Sequence, residues 1–190
     1  MSWIPSFDLG LWNAWILMLI IPLEPLLLHL VDKAVGTGDI YKKMGEAPTE
    51  KAEKRANAVY TAILYLLVAY SVFLPLKPGT PWLIAGLGIY LAGLGMLLAA
   101  IVNAATTPAG RLFTRGMYRF SRHPLYLSTG MILAGVGIAS AAWLFLLLAL
   151  VLIVLMAFQA EVEERDCLGR FGDEYREYMQ RTPRWLGIPK

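Results

Sequence analysis

Leu125 to Ala160 reads LYLSTGMILAGVGIASAAWLFLLLALVLIVLMAFQA, 36 residues without an Asp, Glu, Lys or Arg. A helix needs about 20 apolar residues to cross a bilayer. The run is therefore too long for one crossing and fits two, joined by a tight turn. Gly135, Gly137 and the small residues Ala139 to Ala142 mark where the chain reverses. Working outward, residues 11–31, 57–76 and 81–103 are also apolar, each with the length of a single span. The expected fold class is an all-α integral membrane helical bundle of about five transmembrane helices. Residues 1–190 form a single membrane domain, with two helices and a loop in 1–79 and the core and tail in 80–190.

Composition agrees. The chain is 57% hydrophobic and 16% charged, with a mean hydropathy of +0.55, whereas a soluble domain is about a quarter charged. The formal net charge of +3 does not point to nucleic acid, because no basic, aromatic-laced soluble face is available to bind it. The basic residues sort by loop instead. From the N-terminus, the segments outside the five expected spans carry 0, 6, 1, 4, 0 and 6 Lys or Arg residues. Cytosolic loops carry the excess of Lys and Arg. Five spans with the N-terminus outside and the C-terminus cytosolic put the three segments rich in Lys and Arg on one side and leave only Lys77 on the other, and an even number would not. The first apolar run has no Lys or Arg before it, so a cleavable signal peptide is not expected. A lone cysteine, Cys167, excludes an intrachain disulfide.

Two polar segments stand apart. Gly36 to Glu53 reads as a solvated cytosolic loop. In the tail, Phe171, Tyr175 and Tyr178 fall on one helical face with charges opposite, the pattern of an amphipathic helix at the membrane interface, either as an anchor or closing over a site.

Ionisable groups inside a span are costly and are functional candidates. Glu24, flanked by Pro22 and Pro25, is one, with a polar tunnel lining or a helix contact as its two readings; His29 lies nearer the span's end and can snorkel. GlyLeuGly occurs at Gly86–Gly88 and again at Gly93–Gly95, a spacing that close helix packing explains. The strongest constellation runs from Gly116 to Tyr126, GMYRFSRHPLY. It puts Tyr118, Arg119, Arg122, His123 and Tyr126 at the entrance of a helix that starts at Pro124, where a missing N–H costs nothing. Glu161, Glu163 and Glu164 end the last long helix at the same membrane face. Lipid anchoring and Glu–Arg pairing would suffice to explain both clusters. With only two histidines, a multi-histidine metal site is not expected, and no Ser/His/Asp or Cys/His arrangement is evident.

ArgHisProLeuTyr at 122–126, GluGlu at 163–164, PheGlyAspGluTyr at 171–175 and Tyr178 together resemble the isoprenylcysteine carboxyl methyltransferase family, with the phospholipid methyltransferases close in pattern. The resemblance covers roughly residues 80–188. It implies S-adenosyl-L-methionine as cofactor and a lipophilic or lipidated acceptor met at the cytosolic face among membrane lipids. Carried over by motif, His123 and Tyr126 would hold the cofactor, with Glu163 or Glu164 reaching its polar groups. Tyr118 and the backbone at Gly116 would line the pocket, and Arg122 would face or position the acceptor. Arg122 and Glu163 are the residues nearest the chemistry in this reading, and Gly116, Tyr118, His123, Tyr126 and Glu164 the cofactor-binding set.

The chemistry is consistent with this transfer. Carboxylates can bind the cofactor's ammonium or ribose hydroxyls, and His or Arg its carboxylate. Aromatic faces attract a sulfonium by about 1 kcal/mol. The methyl group is already activated, so alignment supplies most of what is needed, up to about 7–11 kcal/mol in ideal cases. Two rivals remain. A sterol- or steroid-type membrane reductase using NADPH shares a His-Pro-x-Tyr helix start, but Leu125 and Leu127–Ser128 depart from that pattern. A non-enzymatic membrane protein would bind no cofactor and tolerate changes at His123 or Glu163. The acceptor could be a prenylcysteine-like carboxylate, a phospholipid amine or a thiol.

Overall fold

The computed structural model of the protein describes residues 9–36, 40–44 and 51–189. Half of the expected loop from Gly36 to Glu53 lies outside the described residues. The elements are α1 (Trp15–Met18), α2 (Ile20–Val35), α3 (Ile40–Met44), α4 (Lys51–Ser71) and α5 (Pro81–Thr106). A 3-10 turn (Gly116–Arg119) then leads to α6 (Pro124–Ala139), α7 (Trp143–Phe171) and α8 (Asp173–Arg181).

Among the described residues, three helical segments are long and apolar enough to cross a membrane: Trp15–Val35, which is α1 running into α2, then α5 and α7. The apolar run of 125–160 is a helical hairpin, as expected. Its turn falls at Ser140–Ala142, with Ala141 at φ +53° and Ala142 N donating to Gly137 O at 3.0 Å. The arms are unequal. The 16 residues of α6 rise about 24 Å, short of a hydrocarbon core of about 30 Å. The 29 residues of α7 rise about 43 Å and outrun it. The surplus turns of α7 carry Glu161, Glu163 and Glu164 clear of the apolar stretch.

The second expected span, 57–76, is displaced. Its helix covers Lys51–Ser71 and takes Lys51, Glu53, Lys54 and Arg55 into its first turns. Val72 to Leu76 leaves the helix because the segment before α1 captures its backbone. Asn13 Nδ2 donates to Val72 O at 2.6 Å, Ala14 N to Leu74 O at 2.8 Å, and Leu76 N to Trp12 O at 3.0 Å.

Packing runs from α2 to α5, α6, α7 and α4 in turn, and α1 closes back on α4. The α5–α6 seam rests on absent side chains. A Cβ on Gly86 would lie 2.3 Å from Ala139 N, and one on Gly135 would lie 2.6 Å from Tyr90 N. Gly93 also meets α6, whereas Gly88 and Gly95 face open space. So the first glycine of each GlyLeuGly makes the contact. Against this seam Ile132, Leu133, Val136, Phe145 and Leu152 are fully buried.

The tail behaves differently from a helix resting on lipid. Gly172 (φ +55°) ends α7 and starts α8. Tyr175 and Tyr178 are buried with Leu112, and Cys167, Leu168, Phe171 and Met179 pack around them. The aromatic face read from the sequence thus covers protein, at the end of the bundle where α6 begins.

Candidate functional site at the start of α6

Proline at the first position of α6 leaves His123 as the residue before the helix, outside helical geometry (φ −126°, ψ 59°). A residue before proline is pushed away from the α region, which turns the His123 and Arg122 side chains out of the α6 axis. Ser121 fixes the approach, its Oγ accepting from His123 N at 3.1 Å. The returning tail then pairs with this loop: Arg122 N donates to Pro183 O at 3.0 Å and Gly187 N to Phe120 O at 3.1 Å.

Glu164 is the centre of the arrangement and is 3% exposed. Its Oε1 accepts from Arg122 Nε at 3.0 Å, lies 2.8 Å from Arg122 Nη2, and accepts from Arg184 Nε at 3.2 Å. His123 Nε2 is 3.1 Å from the same oxygen. Its Oε2 accepts from Arg184 Nη2 at 2.7 Å. The remaining Arg122 nitrogen, Nη1, donates to Met179 O at 3.1 Å and Thr182 O at 2.9 Å. A buried charge is tolerated when paired and fully hydrogen-bonded, and both conditions hold. This knot ties the loop before α6, the end of α7 and the tail into one unit.

Glu163, one residue earlier, is placed otherwise. Its side chain is 52% exposed. Tyr126 OH donates to its Oε1 at 2.5 Å, and His123 Nδ1 lies 3.4 Å from its Oε2. His123 therefore stands between two carboxylates. Burial lowers its pKa, but the hydrogen bonds to Glu163 and Glu164 outweigh burial and leave it above the usual histidine value. The His123 ring stacks on Tyr126 with centroids 5.8 Å apart, and Trp185 closes the other side at 6.1 Å.

The structure thus brings Arg122, His123, Tyr126, Glu163 and Glu164 together. Tyr118 sits behind this group, buried, its ring 5.2 Å from Phe113 and its carbonyl accepting from Tyr178 OH. Gly116 braces the loop. It holds φ +59°, and a Cβ there would overlap Asn103 Oδ1, which accepts from Met117 N at 2.8 Å. Arg119 is exposed. Arg184, Trp185 and Asn103 were not singled out from sequence. Asn103 lies within an apolar span, a signal that could have drawn attention. Arg184 and Trp185 sit in an aperiodic tail with no such signal.

The set offers one half-exposed carboxylate and an imidazole flanked by two aromatic rings, beside a carboxylate that is already neutralised. That chemistry fits a ligand carrying an ammonium or ribose hydroxyls together with a soft cation.

Comparison with known proteins agrees. Residues 83–174 match the phospholipid methyltransferase family. Over 92 residues the chain is 38% identical to methanethiol S-methyltransferase 1 of Bradyrhizobium diazoefficiens, a stretch that is 48% of this chain and 31% of that protein. The chain thus matches about a third of that relative's length. The matched family segment spans Gly116, Tyr118, Arg122, His123, Tyr126, Glu163 and Glu164, and stops short of Arg184. Residues 83–174, just under half of the chain, are thus similar to the phospholipid methyltransferase family.

Proposed function

We propose that the protein is a methyltransferase that uses S-adenosyl-L-methionine to methylate a lipophilic acceptor at the cytosolic ends of α6 and α7. The observation that carries this reading is the different fate of two adjacent glutamates. Glu164 spends both oxygens on Arg122, His123 and Arg184, while Glu163 keeps an exposed edge beside His123 and Tyr126. When bound, the cofactor supplies an activated methyl group on a sulfonium. Glu163 binds its ammonium or ribose hydroxyls, and Tyr126 and His123 hold that carboxylate in place. The aromatic faces of Tyr126 and Trp185 attract the cationic centre and exclude water. Glu164 and Arg122 act through the others by fixing the wall on which His123 stands. Arg122 enters as a positioning residue, since Glu164 and two carbonyls engage its guanidinium. Tyr118 and Gly116 shape the pocket floor.

The membrane arrangement follows from charge. In the proposed topology α4 and the short α6 complete five crossings, with the N-terminus outside and the loop at Arg122 and the tail in the cytosol. A water-borne cofactor and a bilayer-borne acceptor then meet at one face. The relative's printed name gives a thiol as its acceptor; an amine or a carboxylate on a lipophilic body is equally compatible with the donor side.

Calorimetric titration of the detergent-purified chain tests the reading. S-adenosyl-L-methionine should bind and NADPH should not. Glu163→Gln should weaken that binding roughly tenfold, the scale of one charge-assisted hydrogen bond, with a much smaller loss of melting temperature than removal of the buried Glu164 side chain. Binding of NADPH alone would replace this reading with the reductase.

A further inference from the structure

A second charged cluster stands at the same end of the bundle as the donor site and shares no residue with it. Lys42 and Lys43 on α3, Ala109 and Gly110 in the loop after α5, and Arg170 near the end of α7 line a cleft of about 120 Å³. A single water needs only about 10–15 Å³ of such space, so a tetrahedral oxyanion has room. The walls are anchored. α3 is seated by Ile40, which is buried and whose N donates to Asp32 Oδ2 at 3.3 Å. Lys43 Nζ donates to Ala105 O at 2.8 Å, which fixes α3 over the end of α5. Arg170 joins from α7, its guanidinium 5.2 Å from the centre of the Phe171 ring and 3.3 Å from Asp166 Oδ2. Gly110 holds φ +75°, and an added Cβ there would meet nothing within 4 Å. Among the described residues three cations and no carboxylate line the cleft, and Asp166 offsets only one of them.

Depth along the helices points to the source of the anion. Ala105 lies about 36 Å along α5 from Pro81, and Arg170 about 40 Å along α7 from Trp143. A hydrocarbon core is about 30 Å thick, and a bilayer with its headgroups about 40–45 Å. Both walls of the cleft therefore emerge at the level of the headgroups, where the anions are lipid phosphates. Basic pockets between helices at a membrane face recognise such headgroups. We propose that this cleft binds the phosphate of an anionic membrane lipid, at a site separate from the donor pocket and its acceptor. The lipid is held there and is not methylated. Its phosphate bridges α3 to the last turn of α7, just ahead of Gly172, where the chain turns into α8. Lys42 and Lys43 lie outside the segment matched to the family, 83–174. The inference needs a bilayer around α5 and α7 but does not depend on methyl transfer.

The test uses the full chain in dodecylmaltoside and counts bound lipid by native mass spectrometry. The probes are dioleoylphosphatidylglycerol, which has no amine to methylate, zwitterionic dioleoylphosphatidylcholine, and inorganic phosphate as a soluble competitor. Wild type should retain the glycerol lipid at least tenfold better than the choline lipid. Lys42→Gln and Arg170→Gln should each lower that retention about fivefold. Arg170→Lys, which keeps the charge, should restore most of it and guards against a folding artefact. Arg119→Gln, which removes an exposed cation outside the cleft, should leave retention unchanged. Equal retention of the two lipids, or a loss in Arg119→Gln as large as that in Lys42→Gln, overturns the proposal. Displacement of the lipid by an equal concentration of inorganic phosphate would assign the cleft to a soluble anion and overturns it as well. Absence of S-adenosyl-L-methionine binding is a different failure, that of the methyltransferase reading, and leaves the lipid site standing.

Discussion

The two ends of α6 are held by opposite means. At its Ala139 end the fit to α5 depends on side chains that are missing: Gly86 and Gly135 let the two backbones touch. At its Pro124 end the fit depends on charge, with Arg122, His123 and Arg184 converging on Glu164. The difference follows the solvent. Between helices in lipid there is little hydrophobic gain to be had, so close van der Waals approach decides association. At the membrane face water competes for every ion, and a charge network holds only when a tail covers it. α8 and the segment through Trp185 provide that cover.

The comparison can be broken most forcefully at the charged end. Glu164→Ala leaves Arg122 facing a buried vacancy and should cost about 3–5 kcal/mol, read as a large drop in detergent melting temperature with release of the tail to protease. A small effect would mean the network is not buried in solution. At the apolar end, Gly86→Ala forces a methyl against the Ala139 backbone and should cost about 1–3 kcal/mol, with no new protease site in the tail. If both variants released the tail equally, the two ends would not be independent.

His123 sharpens the charged end by pH. Its folded-state pKa lies above the unfolded value because Glu163 and Glu164 overcome the effect of burial. The sign follows: the stabilisation is fully present below the ordinary histidine value near 6.5 and fades as pH rises through the folded value. The melting temperature of wild type should therefore fall on going from mildly acidic to alkaline buffer by more than that of His123→Gln. Parallel curves would show a ring that does not charge. The smallest effect belongs to Gly88→Ala. Nothing lies within 4 Å of its added Cβ, and trading glycine for alanine within a helix gains about 0.5–1 kcal/mol. That variant should equal or exceed wild type in stability, in contrast with Gly86→Ala two residues away.

What could be read from the sequence divides along the same line. The hairpin of 125–160 was legible because length and small residues suffice to define it, and the helix start at Pro124 because proline leaves few choices. The convergence of Arg122, His123, Tyr126, Glu163 and Glu164 was legible as a motif and from the sides on which the loops fall. The division of labour between Glu163 and Glu164 was not. Neighbours on a helix point about 100° apart, and which of them faces the tail depends on Arg184, a residue with no periodic pattern to announce it. The tail's aromatic face was visible as a face, but its partner Leu112 belongs to a loop, so its burial in protein rather than lipid could not be read locally. The early end of α4 at Ser71 has a similar cause, since a distant segment holding Asn13 captured the backbone of Val72.

The reach of Arg184 into the knot also sets an order of events during synthesis. Every membrane-spanning helix is made before Arg184 leaves the ribosome, and until it does, Glu164 lacks two of its hydrogen bonds and the loop at Ser121 lacks its pairing strand. The bundle can therefore be inserted and threaded while its reactive end is still unassembled. The proposed donor pocket is complete only once the tail folds back, so a chain interrupted before that residue should insert its helices yet leave that pocket unfinished.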